Sequence, residues 1–592
     1  MFTTRPEIKG TFGVIGTTHW LASAAGMAIL EKGGNAFDAA VAAGFALQVV
    51  EPHLNGPGGE VPIITYSRAT DRVEVICGQG GAPRGATLEH YRSLGLDLVP
   101  GSGLLATVIP GSFDAWMLLL RDHGTLRPRD VLAHAIEFAG GGYPLVPAIC
   151  ETIARVEDLF REEWPTSAAL YLPHGRPPAP GTIFRNTALA ETYQRLVREG
   201  EAAGSDREAQ IEACRKAWAE GFVAEEIERF CLGEEVMDTS GRRHRGVLTA
   251  ADMAGWRAQV EAPVSYDYHG WRVYKSGAWG QGPVFLQQLA LLKGFDLAAM
   301  DPLGPEFVHT ITECAKLAFA DREAFYGDPD FCEVPLERLL SEAYNEQRRA
   351  LVSESASFDL RPGEIEGYGG AIVMGQAPET EGADARGGGE PTIQGGGGAR
   401  GDTCHLDVID RAGNMVSATP SGSWLQSSPI IPALGFCLNS RAQMFWLEDG
   451  LPASLAPGKR PRTTLSANLA RHEDGSAMVF GTPGGDYQDQ WTLTFFLRHI
   501  HHGMDLQQAI DAAMFQTDHM PSSFWPRQAD PGSLFVEGRF PGHTIEDLRA
   551  RGHRLEVVDD WSLGRLSAAR RDGDLLRAGA NPRLMQGYAI GR

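Results

Sequence analysis

Small and apolar residues recur at helical spacing along residues 20–50, through Ala25, Ile29, Ala36, Ala39, Ala40, Ala43 and Leu47. Gly33 and Gly34 interrupt the run, which predicts a helix ending there and a second one beginning beyond. Small residues on such faces let helices approach closely. The same period marks 128–140, 187–199, 208–230 and 305–326 as helical. From residue 403 the pattern changes. Thr403 to Ile409 and Met415 to Thr419 are short β-rich runs, with Asp410-Arg411-Ala412-Gly413-Asn414 between them as a turn. They read as a hairpin with Thr403 at the open end of its first strand.

Residues 375–402 are poor in apolar side chains and rich in glycine. Such a segment cannot bury enough surface to offset its conformational entropy, so it is expected to be mobile. On composition it is either a linker between two folding units or the tail of a subunit released when the following residue is freed. There is no internal repeat of 20 to 50 residues.

Length and charge narrow the class. The chain has 592 residues, 43% hydrophobic and 22% charged, which excludes general disorder. A net charge of −22 without a Lys/Arg tract argues against nucleic acid and against membrane surfaces. No apolar run reaches the roughly 18 residues of a membrane span, and the N-terminus lacks the pattern of a secretory signal. Eight cysteines without a CxxC pair fit reduced thiols, so a cytoplasmic location is expected.

The second reading of 375–402 carries chemistry. Were the chain cut between Asp402 and Thr403, Thr403 would gain an α-amine beside its hydroxyl. A threonine hydroxyl needs a base, and a terminal amine with pKa about 8 suits that task. Five segments then resemble the gamma-glutamyltransferase family, in the family's order: AGMAILEKGGNAFDAAVAAGFALQVVEPHLNGPGGE at 25–60, EFVHTITECAKLAFADREAFYGDP at 306–329, DTCHLDVIDRAGNMVSATPSGS at 402–423, PGKRPRTTLS at 457–466 and GTPGGD at 481–486. The resemblance implies an α+β fold, the N-terminal-nucleophile αββα four-layer sandwich, with two subunits from one precursor. The large one would be 1–402 and the small one 403–592. It makes Thr403 the nucleophile, Ser421 its hydroxyl partner, and Gly484 and Gly485 the oxyanion donors. Ser423, Thr463 and Thr464 would line the substrate pocket. No cofactor and no metal are implied.

Two departures bear on the substrate. Where the family has a glutamyl-binding arginine after Ala-Pro-x-x-Ala-Thr, this chain has Leu88, and Met444 stands at the position of the family's aspartate. A glutamyl zwitterion without counter-charges would lose several kcal/mol of binding, on the order of one charged hydrogen bond or two. Arg84, Arg441 and Arg462 could instead hold a displaced carboxylate, with Arg441 best placed. The expectation is therefore hydrolysis of a small carboxylated amide, as in the oxamate amidohydrolase and acylase-like branch. A genuine gamma-glutamyltransferase or glutathione hydrolase is the nearer alternative, and an unprocessed binding protein the more distant one. Whether transfer competes with hydrolysis, and whether the subunit pair dimerises, stays open.

Other residues have plainer readings. His405 is read as structural and Cys404 as facing away from the nucleophile. His499, His501 and His502 lack a carboxylate or cysteine at ligand spacing and fit the polar end of a helix. Gly56-Pro57-Gly58-Gly59 has no nucleotide-binding lysine after it.

Overall fold

The computed structural model describes residues 2–375 and 403–592. The expected tail beyond Gly375, including Asp402, lies outside the described residues. The two helices of the N-terminal pattern are Trp20–Glu31 and Ala36–Val50. Asn35 begins the second by capping Phe37 and Asp38, and Asp38 returns the bond to the Asn35 amide. Every residue of Ala36–Val50 is buried, which explains a composition of alanine and apolar residues all round. Helices Pro128–Gly141, Thr187–Ala202 and Pro305–Phe325 fall where periodicity puts them. The 208–230 pattern is two helices, Arg207–Ala219 and Phe222–Gly233, because Gly221 breaks it.

Two seven-stranded antiparallel sheets form the centre. The first runs Tyr588–Gly591, Gly13–Thr17, Leu406–Asp410, Met415–Ala418, Val61–Ser67, Arg72–Gly78 and Gln259–Glu261. The second runs Ile8–Gly10, Leu575–Ala580, Ser567–Asp572, Ala477–Gly481, Asn468–His472, Trp271–Lys275 and Val264–Tyr268. Each sheet draws strands from both sides of residue 403, so neither half of the chain could complete a sheet alone. One apolar cluster, with Val14, Ile64 and Ile409 of the first sheet and Leu469, Val479 and Ala578 of the second, lies between them. The first sheet packs its other side on Ala36–Val50 and neighbouring helices. The second packs on Pro283–Leu292, Pro305–Phe325 and Gln488–His502. Among the described residues no helix is long and apolar enough to cross a membrane.

The hairpin predicted at 403–419 is present, with Ile409 opposite Met415 and Gly413 at φ +88° in the turn. Its open end continues as a bridge between Thr403 and Ser421, which sets the geometry of the site.

Candidate active site

Thr403 is buried, and its Oγ1 lies 3.1 Å from Ser421 Oγ. Ser421 is held from behind. Its amide donates to the Glu60 carbonyl at 3.0 Å, the Glu60 amide donates to the Ser421 carbonyl at 2.9 Å, and Arg441 Nη2 donates to its Oγ at 2.9 Å. Arg441 is anchored in turn by Nε on Glu60 Oε1 at 2.6 Å, both side chains being fully buried. A hydroxyl has one proton and two lone pairs. With one lone pair taken by the guanidinium, Ser421 is left oriented toward Thr403.

The glycines of Gly56–Gly59 explain how Glu60 reaches this place. A Cβ on Gly59 would sit 2.1 Å from the Ser421 carbonyl oxygen, and one on Gly58 2.4 Å from the Cys437 oxygen. The run exists for close backbone approach to the 421–423 turn. Sequence reasoning passed over Glu60, whose signal was its place at the end of the first family-like segment.

His405 is held away from Thr403, with Nδ1 2.9 Å from Thr419 Oγ1 and Nε2 3.0 Å from Asp407 Oδ1. Its ring lies against Gly481, where a Cβ would approach to 2.1 Å. Cys404 points to the helical side and donates to Glu51 Oε2 at 2.9 Å. Glu51, also buried, accepts from Thr18 and Gln586; burial raises its carboxyl pKa against these hydrogen bonds. Sequence reasoning gave Glu51 no role.

Gly484 and Gly485 stand at φ +131° and +52° between the Ala477–Gly481 strand and the Gln488–His502 helix. A side chain on Gly484 would meet Trp491 at 2.4 Å. The following Asp486 accepts from Arg322 Nη1 at 2.5 Å and from Ser523 Oγ at 2.7 Å, which fixes the loop. Thr463 pairs by its backbone with Trp279 and Gln281, and both Thr463 and Thr464 are buried. Thr464 Oγ1 has no hydrogen-bond partner among the described residues.

The other arginines divide. Arg84 takes no part in this network: its side chain is 71% exposed and bonds Asp252 Oδ1 at 3.1 Å. Leu88 begins a short helix and packs on an apolar cluster with Tyr91 and Phe445. Arg462 is buried and pairs with Glu323 at 2.6 Å. Ser423 turns its hydroxyl to the Cys437 carbonyl. Met444, where the resemblance leads one to expect an aspartate, packs with Trp424 and Phe524, and the Arg441 guanidinium lies 5.2 Å from the Trp424 ring centre.

The three histidines of the Gln488–His502 helix go separate ways: His499 to the Met504 carbonyl and Arg570, His501 to the Tyr268 hydroxyl, His502 onto Phe307. Among the described residues, His309, Glu313 and His553 alone are grouped at metal-ligand distances. There Lys316 and Arg361 already neutralise Glu313.

The family described as gamma-glutamyltranspeptidase matches residues 22–591 of this chain. The chain belongs to that family. It is 30% identical to the glutathione hydrolase-like YwrD proenzyme of Bacillus subtilis (strain 168), over 99% of each. To the oxamate amidohydrolase proenzyme of Klebsiella pneumoniae it is also 30% identical, over 98% of each. The solved structure of LmbA2991HD is 53% identical, covers 100% of both chains and superposes with a TM-score of 0.93. At the two positions where the resemblance leads one to expect charged glutamyl anchors, this chain has Leu88 and Met444.

Proposed function

We propose that the chain is a precursor that cuts itself between Asp402 and Thr403 and then hydrolyses a small carboxylated amide. The observation that carries this reading is the buried chain of contacts from Thr403 Oγ1 to Ser421 Oγ to Arg441 Nη2. In processing, Thr403 Oγ attacks the Asp402 carbonyl and the C–N bond breaks, leaving an ester and a free α-amine; water then opens the ester. In turnover the α-amine takes the Thr403 proton as Oγ attacks the substrate amide and passes it to the leaving nitrogen. The Gly484 and Gly485 amides hold the oxyanion, a contribution of about 3 kcal/mol per donor. Water releases the acid. Arg441 and the Thr463–Thr464 pair face the substrate.

The same reading makes 1–402 and 403–592 large and small subunits of one αββα sandwich. Support comes from the order of helices, sheet, sheet and helices, and from strands of both parts in each sheet. Eight free thiols favour a cytoplasmic setting. No cofactor enters any step. The test is the intact mass under denaturing conditions. Wild type is expected as fragments of 402 and 190 residues, and Thr403→Ala as one 64.0 kDa chain. A single full-length mass for both, with no amide hydrolysed, would overturn the reading.

A further inference from the structure

Behind the Gly484–Gly485 turn lies a cluster of buried charge that does not balance. Arg322 bonds Asp486 Oδ1 at 2.5 Å and Glu323 Oε1 at 2.7 Å. Arg462 bonds the same Glu323 oxygen at 2.6 Å and Ser523 Oγ at 2.8 Å. The third cation, Arg527, is 1% exposed and has no carboxylate of its own among the described residues. Its Nη1 donates to the Met444 and Phe445 carbonyls at 2.9 and 3.1 Å, and its plane stacks on Trp446, 3.7 Å from the ring centre. Its Nε and Nη2 have no hydrogen-bond partner among the described residues, nor does Arg462 Nε. Among the described residues, three guanidinium groups thus face two carboxylates. Burial lowers the Arg527 guanidinium to about 9. A buried, unpaired charge is among the costliest features a fold can hold, and it marks a place where a partner is absent.

The cluster adjoins the proposed site on two sides. Asp486 follows Gly485 directly, and Ser523 precedes Phe524, which borders the Arg441 guanidinium. Met444 links the two arginines: its sulfur lies 3.9 Å from Arg441 Nη1, and its carbonyl accepts from Arg527. Arg441, however, is already neutralised by Glu60. Arg441 can donate hydrogen bonds to a substrate, but the uncompensated charge belongs to Arg527.

We infer that Arg527, with Arg462 beside it, binds an anionic group of the substrate, a carboxylate remote from the scissile amide. This rests on the amidase reading above and names what that site selects. The planar fork of Nε and Nη2 matches two carboxylate oxygens, which an ammonium could not. Removing Arg527 relieves a desolvated charge but also frees the Met444 and Phe445 carbonyls and the Trp446 face, so stability should change far less than binding does.

The test is calorimetric titration of the purified full-length protein with oxalate, malonate, succinate and glutarate, beside Arg527→Met, Arg527→Lys and Arg84→Met. At least one dicarboxylate is expected to bind wild type and Arg84→Met alike. Arg527→Met should lose 30-fold or more in affinity while still unfolding cooperatively without ligand in a thermal melt. Arg527→Lys, which keeps the charge and loses the fork, should lose about tenfold and covers the case in which the methionine variant does not fold. If none of the four binds wild type, or the Arg527 variants bind as wild type does, the inference falls. Chain cleavage at Thr403 is read separately by mass. Cleavage with amide hydrolysis but no carboxylate binding sinks this inference alone. Binding through Arg527 without cleavage or hydrolysis sinks the amidase reading alone.

Discussion

At the scale of single residues, the Arg441–Glu60 pair decides how Ser421 presents its hydroxyl. Both side chains are fully buried and share a bond at 2.5 Å. Breaking such a pair leaves an uncompensated charge, while removing both partners does not. Arg441→Met is therefore expected to destabilise the protein by about 3–5 kcal/mol in denaturant unfolding, and Glu60→Met to do similarly. The double variant should recover most of that loss yet still process slowly, because Ser421 has lost its anchor. Two single-variant losses that simply add would contradict the pairing. Thr403 and Ser421 are legible as candidates because they stand in a segment that resembles a family motif, and Arg441 because it lies on the stretch that carries Met444. Glu60 and Glu51 lie in the 25–60 segment too, but their contacts with Arg441 and Cys404 across the chain, and those of Arg527 with the Met444 and Phe445 carbonyls, are not a local property of the sequence. Arg84 shows the converse: nothing in its local sequence foretold that Asp252 would hold it at the surface.

At the scale of elements, the site is a meeting of two turns against one hairpin. Periodicity located the hairpin and the helices around 20–50, 128–141, 187–202 and 305–325, since apolar spacing is a local property, but not such helices as Ser112–His123 and Pro283–Leu292. It missed the break at Gly221, where one periodic run is two helices, because a helical pattern can continue through a glycine that ends the helix. The Gly56–Gly59 turn was legible only as glycine-rich; its purpose is visible once the Ser421 carbonyl is seen 2.1 Å from where a Gly59 Cβ would be. Gly59→Ala must therefore push the 56–60 turn off the Glu60–Ser421 backbone pair. Overpacking of this kind costs about 1–3 kcal/mol, which a fold of this size survives. The variant is expected to fold, with cleavage at Thr403 slowed at least tenfold in a time course of intact mass. Wild-type cleavage kinetics would show that the turn does not position Ser421.

At the scale of the whole molecule, burial of titratable groups sets how stability responds to acid. Burial lowers the imidazoles of His19 and His553 to about 3 and those of His499, His501 and His519 to about 4, and holds His53 well below its ordinary value. In the unfolded chain all six titrate near 6.5. Below that pH the unfolded state takes up protons that the folded state refuses, so stability present above about 6.5 is lost as pH falls toward 4. Four buried carboxyls work the other way. Burial raises Asp518 to about 7 and lifts Glu51, Asp321 and Asp489, so the folded state binds their protons first and gains stability on acidification. Burial lowers His134, His309 and His502 as well, so nine imidazoles oppose four carboxyls, and those nearer the surface, His501 among them, contribute least. The histidines should prevail: the urea midpoint is expected to be lower at pH 5 than at pH 7.5. Asp518→Asn should steepen that fall, since it removes a carboxyl that burial raises to about 7 in the folded state. A midpoint equal or higher at pH 5 would mean that the carboxyls control the balance, and that the imidazoles reach solvent more readily than their packing implies.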